Sequence, residues 1–446
     1  MKKIWALLLT LTLVVGVVSP ITTVYAEENS VVMTVNGTEY TSHDEGWSAA
    51  VNLANGGTKT TVVLNANWNA ENGDFKYSKG TDSGRLYIND SDVDLTIDLN
   101  GYNINRGLTS AKSNGQVIKI DKGKLTITDN SGEKDGKITG GYNKGNGGGI
   151  YVSGGELLLN GGCISANKAE IVSNSPSEAG SGAGVYIESG TFTMNGGSVS
   201  ENVASSIGAG VFLYSNSSHM NFNAGAINGN YAGKDGGGIY LNSHSDLNMY
   251  GGIISNNIAV NDGGGVYIDN DTDNHSAYAT ITGGTIAGNI AKTGNGGGIY
   301  NTVLEPLTLV NCTITGNDAP RGHGGGVFVY AIPRHIVFGG NVNITGNTGY
   351  STNPNNRTDN VYMRYDVNLY NAKGQFINTE WSETTFYLYN YPLTSNAKIG
   401  LKTEKSWAIN GTYFSDKQSG IDDAVINCFT ADDSRYSLKN DKDGDS

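Results

Sequence analysis

The chain has 446 residues, with 29 Lys and Arg against 42 Asp and Glu, a formal charge of −13, 64 glycines, 7 prolines, 25 tyrosines and 37% hydrophobic residues. The acidic balance argues against a nucleic-acid partner, because phosphate binding needs a basic footprint, and it gives a surface that repels anions at long range. So little apolar material among so many glycines suits a long thin core, not a globular one.

In chain order, Met1 to Ala26 combines two lysines, an apolar run from Ile4 to Val18 and a small-residue exit at Val24-Tyr25-Ala26. That is the layout of a secretory signal peptide, so export is expected, with a mature start near Glu27. The run is too short for a membrane span, and no transmembrane segment is expected after the signal is removed.

Residues 27–60 read as an N-terminal cap. Val31 to Ser42 suits a hairpin with Asn36-Gly37 at its turn. Asp44 to Ala54 has helix character, with Trp47, Val51 and Ala54 on one face and Gly56-Gly57 as the stop. Its expected task is to plug one end of the strand-rich region that begins at residue 61, since open strand edges invite pairing.

Residues 61–350 carry strand signals, irregular to about residue 140 and then strictly repeated. The irregular strands are Val62-Val63-Leu64, Leu86-Tyr87-Ile88, Leu95 to Leu99, Val117 to Ile120 and Leu125 to Thr128. From Gly147 to Asn347 one pattern recurs seven times, with a period of 26 to 35 residues. Each copy opens with a Gly-rich turn and an aliphatic-aromatic-aliphatic triplet such as Ile239-Tyr240-Leu241, Val266-Tyr267-Ile268 or Val327-Phe328-Val329; in Ile299-Tyr300-Asn301 the last place is Asn. Each closes with a β-branched residue followed three positions later by Asn, at Asn167, Asn202, Asn230, Asn257, Asn289, Asn317 and Asn347.

Fixed self-similarity with period-2 alternation and no helical periodicity means a strand-built solenoid. Three short strands per copy suggest the triangular turn of an all-β, right-handed, single-stranded parallel β-helix, each rung about 4.8 Å from the next. Equivalent asparagines would then stack and hydrogen-bond along the axis. Residues 351–446 read as further rungs or a β cap with an acidic tail, whose Asp441 to Asp445 resembles half a calcium loop. Cys163 and Cys312 read as sharing one slot of the repeat five copies apart, roughly 24 Å at the rung spacing. That is beyond disulfide reach, and with Cys428 also single no disulfide or thiolate metal site is expected.

The fragments TTVVLNANW (60–68), DLTIDLNGYNI (94–104), LTITDNSG (125–132) and KITGG (137–141), together with the later copies of the Gly147 to Val152 type, resemble secreted right-handed β-helix repeat proteins of Gram-positive bacteria. They are also similar to polymorphic membrane protein and adhesin-type repeats. The resemblance spans about residues 45 to 350, with a weaker likeness in the tail. It implies the fold and an extracellular, secreted or wall-associated location, and transfers no catalytic motif, because architecture defines the family.

Three features are candidates for chemistry. The loops after the triplets gather four of the six histidines on one edge, among them His244 and His275. The longest loop sets Asp269, Asp271 and Asp273 at alternate positions, which could gather oxygens around calcium; no cofactor is otherwise required. The column Tyr151, Tyr186, Phe212, Tyr240, Tyr267, Tyr300 and Phe328 faces outward if the flanking aliphatics face inward, and exposed rings suit sugar faces. The resulting expectation is a non-catalytic adhesin-like or structural module contacting a polysaccharide or surface glycoprotein, with Tyr240, Tyr267, Tyr300, His244 and His275 as ligand contacts. The competing class is a β-helix polysaccharide lyase or glycosidase, for which Asp271, His323 and Arg334 are the nearest catalytic candidates. It would need two carboxylates converging across a groove.

Overall fold

Alternation over three to five residues leaves each short segment one apolar face to bury, and the chain buries it by stacking successive turns in parallel. The computed structural model describes residues 30–76, 84–133, 135–171, 180–242, 244–269, 277–302, 307–330, 336–352, 357–364, 368–370, 376–379, 385–388, 396–403, 413–415 and 428–432. The chain divides into two units, Met1–Ser30 and Val31–Ser446, and the described fold is that of the second. The signal-peptide stretch and the acidic tail lie outside the described residues. The fold is an all-β parallel solenoid of about 8 turns, with a single helix among the described residues. No helix among the described residues is long and apolar enough to cross a membrane.

The first strands are the hairpin Met33–Val35 and Thr38–Tyr40, whose turn residues Asn36 and Gly37 both have positive φ, as a two-residue type I′ connection requires. Met33–Val35 pairs antiparallel with Thr60–Leu64, at one end of the 14-stranded sheet. The helix His43–Asn55 starts with the Ser42 side chain accepting from the Glu45 N–H and buries Trp47, Ala50 and Ala54 in the main core.

A regular turn has four strands, not the three expected. In one such turn they are Ile239–Leu241, Asp246–Met249, Ile253–Ser255 and Ile258–Ala259. The last is the addition: two or three residues just after the repeat asparagine, stacked as an 8-stranded sheet. Strands this short give little periodicity to read, which is why the pattern concealed them. The alternating residues of the second strand, such as Leu247 and Met249, enter the core, and the flanking residues of each triplet do the same.

The fourth strand and the returning glycine loop enclose a separate small cluster in the early turns, Ala169, Ala183, Ala204, Ala209 and Ala232. Here glycine is a packing requirement. A Cβ on Gly237 would lie 2.6 Å from the Ile258 carbonyl carbon, and one on Gly238 would lie 2.6 Å from the Gly265 oxygen and 3.0 Å from Asn257 Nδ2. The glycine triplet therefore lets two passes of backbone meet with nothing between them.

Beneath that contact runs the asparagine column. Asn167, Asn202, Asn230, Asn257, Asn289, Asn317 and Asn347 are all fully buried. The Nδ2 of Asn230 donates to Asn257 Oδ1 at 2.9 Å and to the Val199 carbonyl at 3.0 Å, while its backbone N–H donates to the same Asn257 Oδ1 at 3.0 Å. Both amide hydrogens and both oxygen lone pairs are thus used, and the pattern repeats along the column. It ends when Asn347 donates to Asn360, and Asn360 donates its N–H and Nδ2 to the two oxygens of Asp432. A carboxylate suits that terminus, since it accepts twice and needs no further acceptor.

Beyond the repeats, Val361–Arg364 and Thr385–Leu388 pair in parallel on the preceding turns. Lys398–Thr403 then spans two stacks, pairing with Asn343–Ile344 at its start and with Val361–Met363 at its end. Gly400 alone stands where a regular turn inserts the asparagine, the fourth strand and the glycine loop.

Cys163 and Cys312 are free thiols. Their placement corrects the shared-slot expectation: Cys163 pairs along its stack with Ser198, so Thr313 holds the equivalent place, and Cys312 lies one position earlier, in the core.

Candidate functional site

The aromatic middle of each triplet does face away from the main core, but it is not an exposed surface. Tyr186, Phe212, Tyr240, Tyr300 and Phe328 are buried, Tyr240 and Tyr300 being 7% and 8% exposed, and the rings form clusters of their own. The glycine loops lie against them: a Cβ on Gly236 would be 2.8 Å from Tyr240 Cβ. Rung stacking also brings ring face to ring face, with centroids 4.7 Å apart for Tyr240–Tyr267, 4.9 Å for Tyr267–Tyr300 and 5.1 Å for Tyr300–Phe328. The faces a sugar would need are occupied by neighbouring rings.

The column has further members that the triplet pattern does not reveal. Lys119 occupies the same register between Tyr87 and Tyr151, its Nζ 5.4 Å and 6.0 Å from their ring centres. His323 stacks on Tyr362 at 4.3 Å, and its Nδ1 lies 3.3 Å from Asp359 Oδ2. Tyrosine hydroxyls donate to carboxylates of the following turn: Tyr87 to Asp121, Tyr151 to Glu188 at 2.8 Å and Tyr240 to Asp269 Oδ2 at 2.7 Å. Asp269, expected as a calcium ligand, is held there as a hydrogen-bond acceptor.

Beside these rings runs a polar corner column. Asp235 Oδ1 accepts from the Asp262 N–H at 2.9 Å, Asp262 Oδ1 accepts from Asn295 Nδ2 at 3.3 Å, and Asn295 Oδ1 accepts from the His323 N–H at 2.9 Å. Burial, reinforced by the neighbouring carboxylates, pushes Asp235 up to about 6 despite the hydrogen bond it accepts. Burial raises Asp262 as well.

The outer face of the 14-stranded sheet is different in kind. One row, in register over successive turns, is Thr126, Leu158, Thr193, Asn221, Asn248, Thr280 and Thr308, all partly exposed. A second row along its rim is Lys124, Glu156, Thr191, His219, Asp246 and Tyr278. His219 Nδ1 lies 2.8 Å from Asp246 Oδ2, and Tyr278 is 48% exposed. At the start of the rim a shallow cleft of about 420 Å³ is lined by Ser91, Lys122, Lys124 and Glu156. Along the opposite edge, just past the strand ends, Asn195 Nδ2 donates to Asn160 Oδ1 and Asn223 Nδ2 to Asn195 Oδ1, a short asparagine ladder exposed to solvent.

Of the residues expected from sequence, Asp271, Asp273, His275 and Arg334 lie outside the described residues. His244 occupies a turn at φ 65°, two residues before Asp246. Tyr240, Tyr267 and Tyr300 are brought together with Asp269, and His323 joins the same column through Phe328 and Tyr362. Among the described residues, no group of three or more His, Cys, Asp or Glu is placed to hold a metal ion. His219, Asp246 and Tyr278 were missed as a group. The signal that finds them is the copy-to-copy alignment of the second strand, which puts His219 opposite Asp246 and Asp246 opposite Tyr278. No family model, curated protein or solved structure matches this chain.

Proposed function

We propose that the chain is an exported binding module that holds an extended polysaccharide along the outer face of the 14-stranded sheet, at a cell surface or in the extracellular space, without covalent chemistry. The observation that carries this reading is the in-register row from Thr126 to Thr308, polar at every place but Leu158, with its rim from Lys124 to Tyr278. Parallel stacking repeats each contact about every 4.8 Å, a spacing comparable to one sugar unit of an extended glycan. Threonine and asparagine offer donors and acceptors without the desolvation cost of full charges. Tyr278 adds an exposed ring suited to a sugar face, and the net negative charge favours neutral glycans over polyanions.

Export is supported by the leader layout of Met1 to Ala26, and the adhesin-like character by the resemblance of the repeat fragments. The test is retention of the mature chain on an immobilised polysaccharide panel, with and without calcium, while new reducing or unsaturated ends are assayed together. Retention without new ends, weakened several-fold by His219→Ala with Tyr278→Ala at unchanged melting temperature, is expected. New ends would contradict the reading in favour of a lyase or glycosidase. Absence of retention on any glycan would contradict it in favour of a protein ligand or a structural role.

A further inference from the structure

Ring stacking along the triplet column places phenols, not merely aromatic surface, in close succession. Tyr240, Tyr267 and Tyr300 are consecutive, and Phe212 and Phe328 bracket them. Within this run Tyr240–Tyr267 is the tightest and most parallel contact, with centroids at 4.7 Å and planes at 4°, against 4.9 Å and 19° for Tyr267–Tyr300. The Tyr240 hydroxyl already donates to Asp269 Oδ2 at 2.7 Å. A phenol that loses one electron becomes a strong acid, and a hydrogen-bonded carboxylate is the acceptor that lets electron and proton leave together.

The geometry points to an oxidative modification site: one-electron oxidation of the ring column that ends as a carbon–carbon bond between Tyr240 and Tyr267 of adjacent turns. The reactant class is a one-electron oxidant, of which two equivalents are consumed. Tyr240 gives one electron to the oxidant and its phenolic proton to Asp269; Tyr267, only partly buried, gives one electron to the second equivalent and its proton to solvent. The two phenoxyl radicals join at ortho carbons, and the ortho hydrogens then move to the two oxygens, restoring both phenols. The net loss is two electrons and two protons. Contact between oxidant and Tyr240 is not required, because the stacked rings pass the oxidising equivalent along the column. Phe212 and Phe328 carry no hydroxyl and cannot form the bond, so they bound this run and separate it from the other stacked tyrosine pair of the column, Tyr151–Tyr186, whose centroids are 4.9 Å apart with planes at 26°. The product would fasten two turns that are otherwise held by hydrogen bonds and packing.

The test is brief illumination of dilute, full-length protein with tris(bipyridine)ruthenium(II) and persulfate, followed by peptide mapping. The expected product is an intramolecular dityrosine joining the Tyr240 and Tyr267 peptides, lighter than their sum by two hydrogens, in chains that remain monomeric under denaturing conditions. Tyr240→Phe keeps the ring and its stacking, so it should abolish this product, leave a smaller yield at Tyr267–Tyr300 and retain the wild-type melting temperature. Asp269→Asn should slow the coupling several-fold. Independently of any variant, the wild-type chain unfolded in denaturant should lose the preference for this pair. Coupling confined to the exposed Tyr250, Tyr278 and Tyr330, or the same pair yield in folded and unfolded chains, would overturn the proposal.

Discussion

Asn257 donates its side-chain amide to Asn289 Oδ1 at 3.0 Å, and the same oxygen accepts the Asn257 backbone N–H at 3.0 Å. One side-chain oxygen therefore ties two donors of the preceding turn, deep in the molecule, where an unmet polar group is costly. Asn257→Ala would orphan both donors of Asn230 and one lone pair of Asn289 together. At about 1–3 kcal/mol for each buried group left unmet, the expected loss is about 3 kcal/mol or more. Chemical denaturation measures it, and hydrogen exchange should show the weakened protection centred on residues 227–260. A loss below about 1 kcal/mol would mean that water replaces the missing amide.

Gly238 and Asn257 form the second half of the same arrangement. Gly238 has no positive φ, so alanine there meets no backbone strain, but crowds the Gly265 oxygen, Asn257 Nδ2 and Ile254 Cγ2. Gly238→Ala is expected to cost about 1–3 kcal/mol, as overpacking does in close-packed interiors. Gly37→Ala is a useful contrast: its Cβ would meet open space, while its φ of 82° supplies strain without crowding. Equal hydrogen-exchange losses around Asn257 in the two variants would contradict a steric role for the third glycine of the triplet.

Asp235 makes stability depend on pH in an unusual direction. Its carboxyl is raised to about 6 from 3.8, so the folded state prefers the protonated form. The stability this group supplies is complete below about pH 3.8 and lost as pH rises towards 6. Above that, the buried charge is a constant penalty. Asp235→Asn keeps an acceptor for the Asp262 N–H and removes the charge. Its melting temperature should exceed wild type by a few degrees at pH 7.5 and match it near pH 3.5, by differential scanning calorimetry at both values. A variant less stable than wild type at pH 7.5 would contradict the burial penalty.

Much of this organisation is legible in the residues. The triplets and the Ile-to-Asn spacing place the rungs, and alternation places Leu247 and Met249 inward. The stacking of the asparagines follows from their identical position in each copy. The fourth strand is not legible, because Ile258–Ala259 is too short to show a period. The exposure of the aromatic column is misread for a related reason. Alternation says that Tyr240 points away from the core, but not that the next turn's ring and the Gly236 backbone will cover it. The Cys163 and Cys312 offset is readable by counting back from the repeat asparagine: Cys163 stands four residues before Asn167 and Cys312 five before Asn317, so Cys312 takes the slot of Gly162 and its side chain points to the opposite face. Asp269 reads as a metal ligand from its spacing, yet its hydrogen bond to Tyr240 depends on a neighbouring turn.

The most direct test of a glycan-holding face is affinity as a function of ligand length. Oligosaccharides of increasing length from a retained polysaccharide would be titrated against the mature chain by calorimetry, with the products analysed for cleavage. A face that repeats its contacts every rung predicts affinity that climbs with each added sugar until the rim from Lys124 to Tyr278 is spanned, roughly 24 Å for five spacings of about 4.8 Å, and then levels, with the ligand recovered intact. Affinity independent of length, or shortened products, would contradict the account and point instead to a localised site with chemistry of its own.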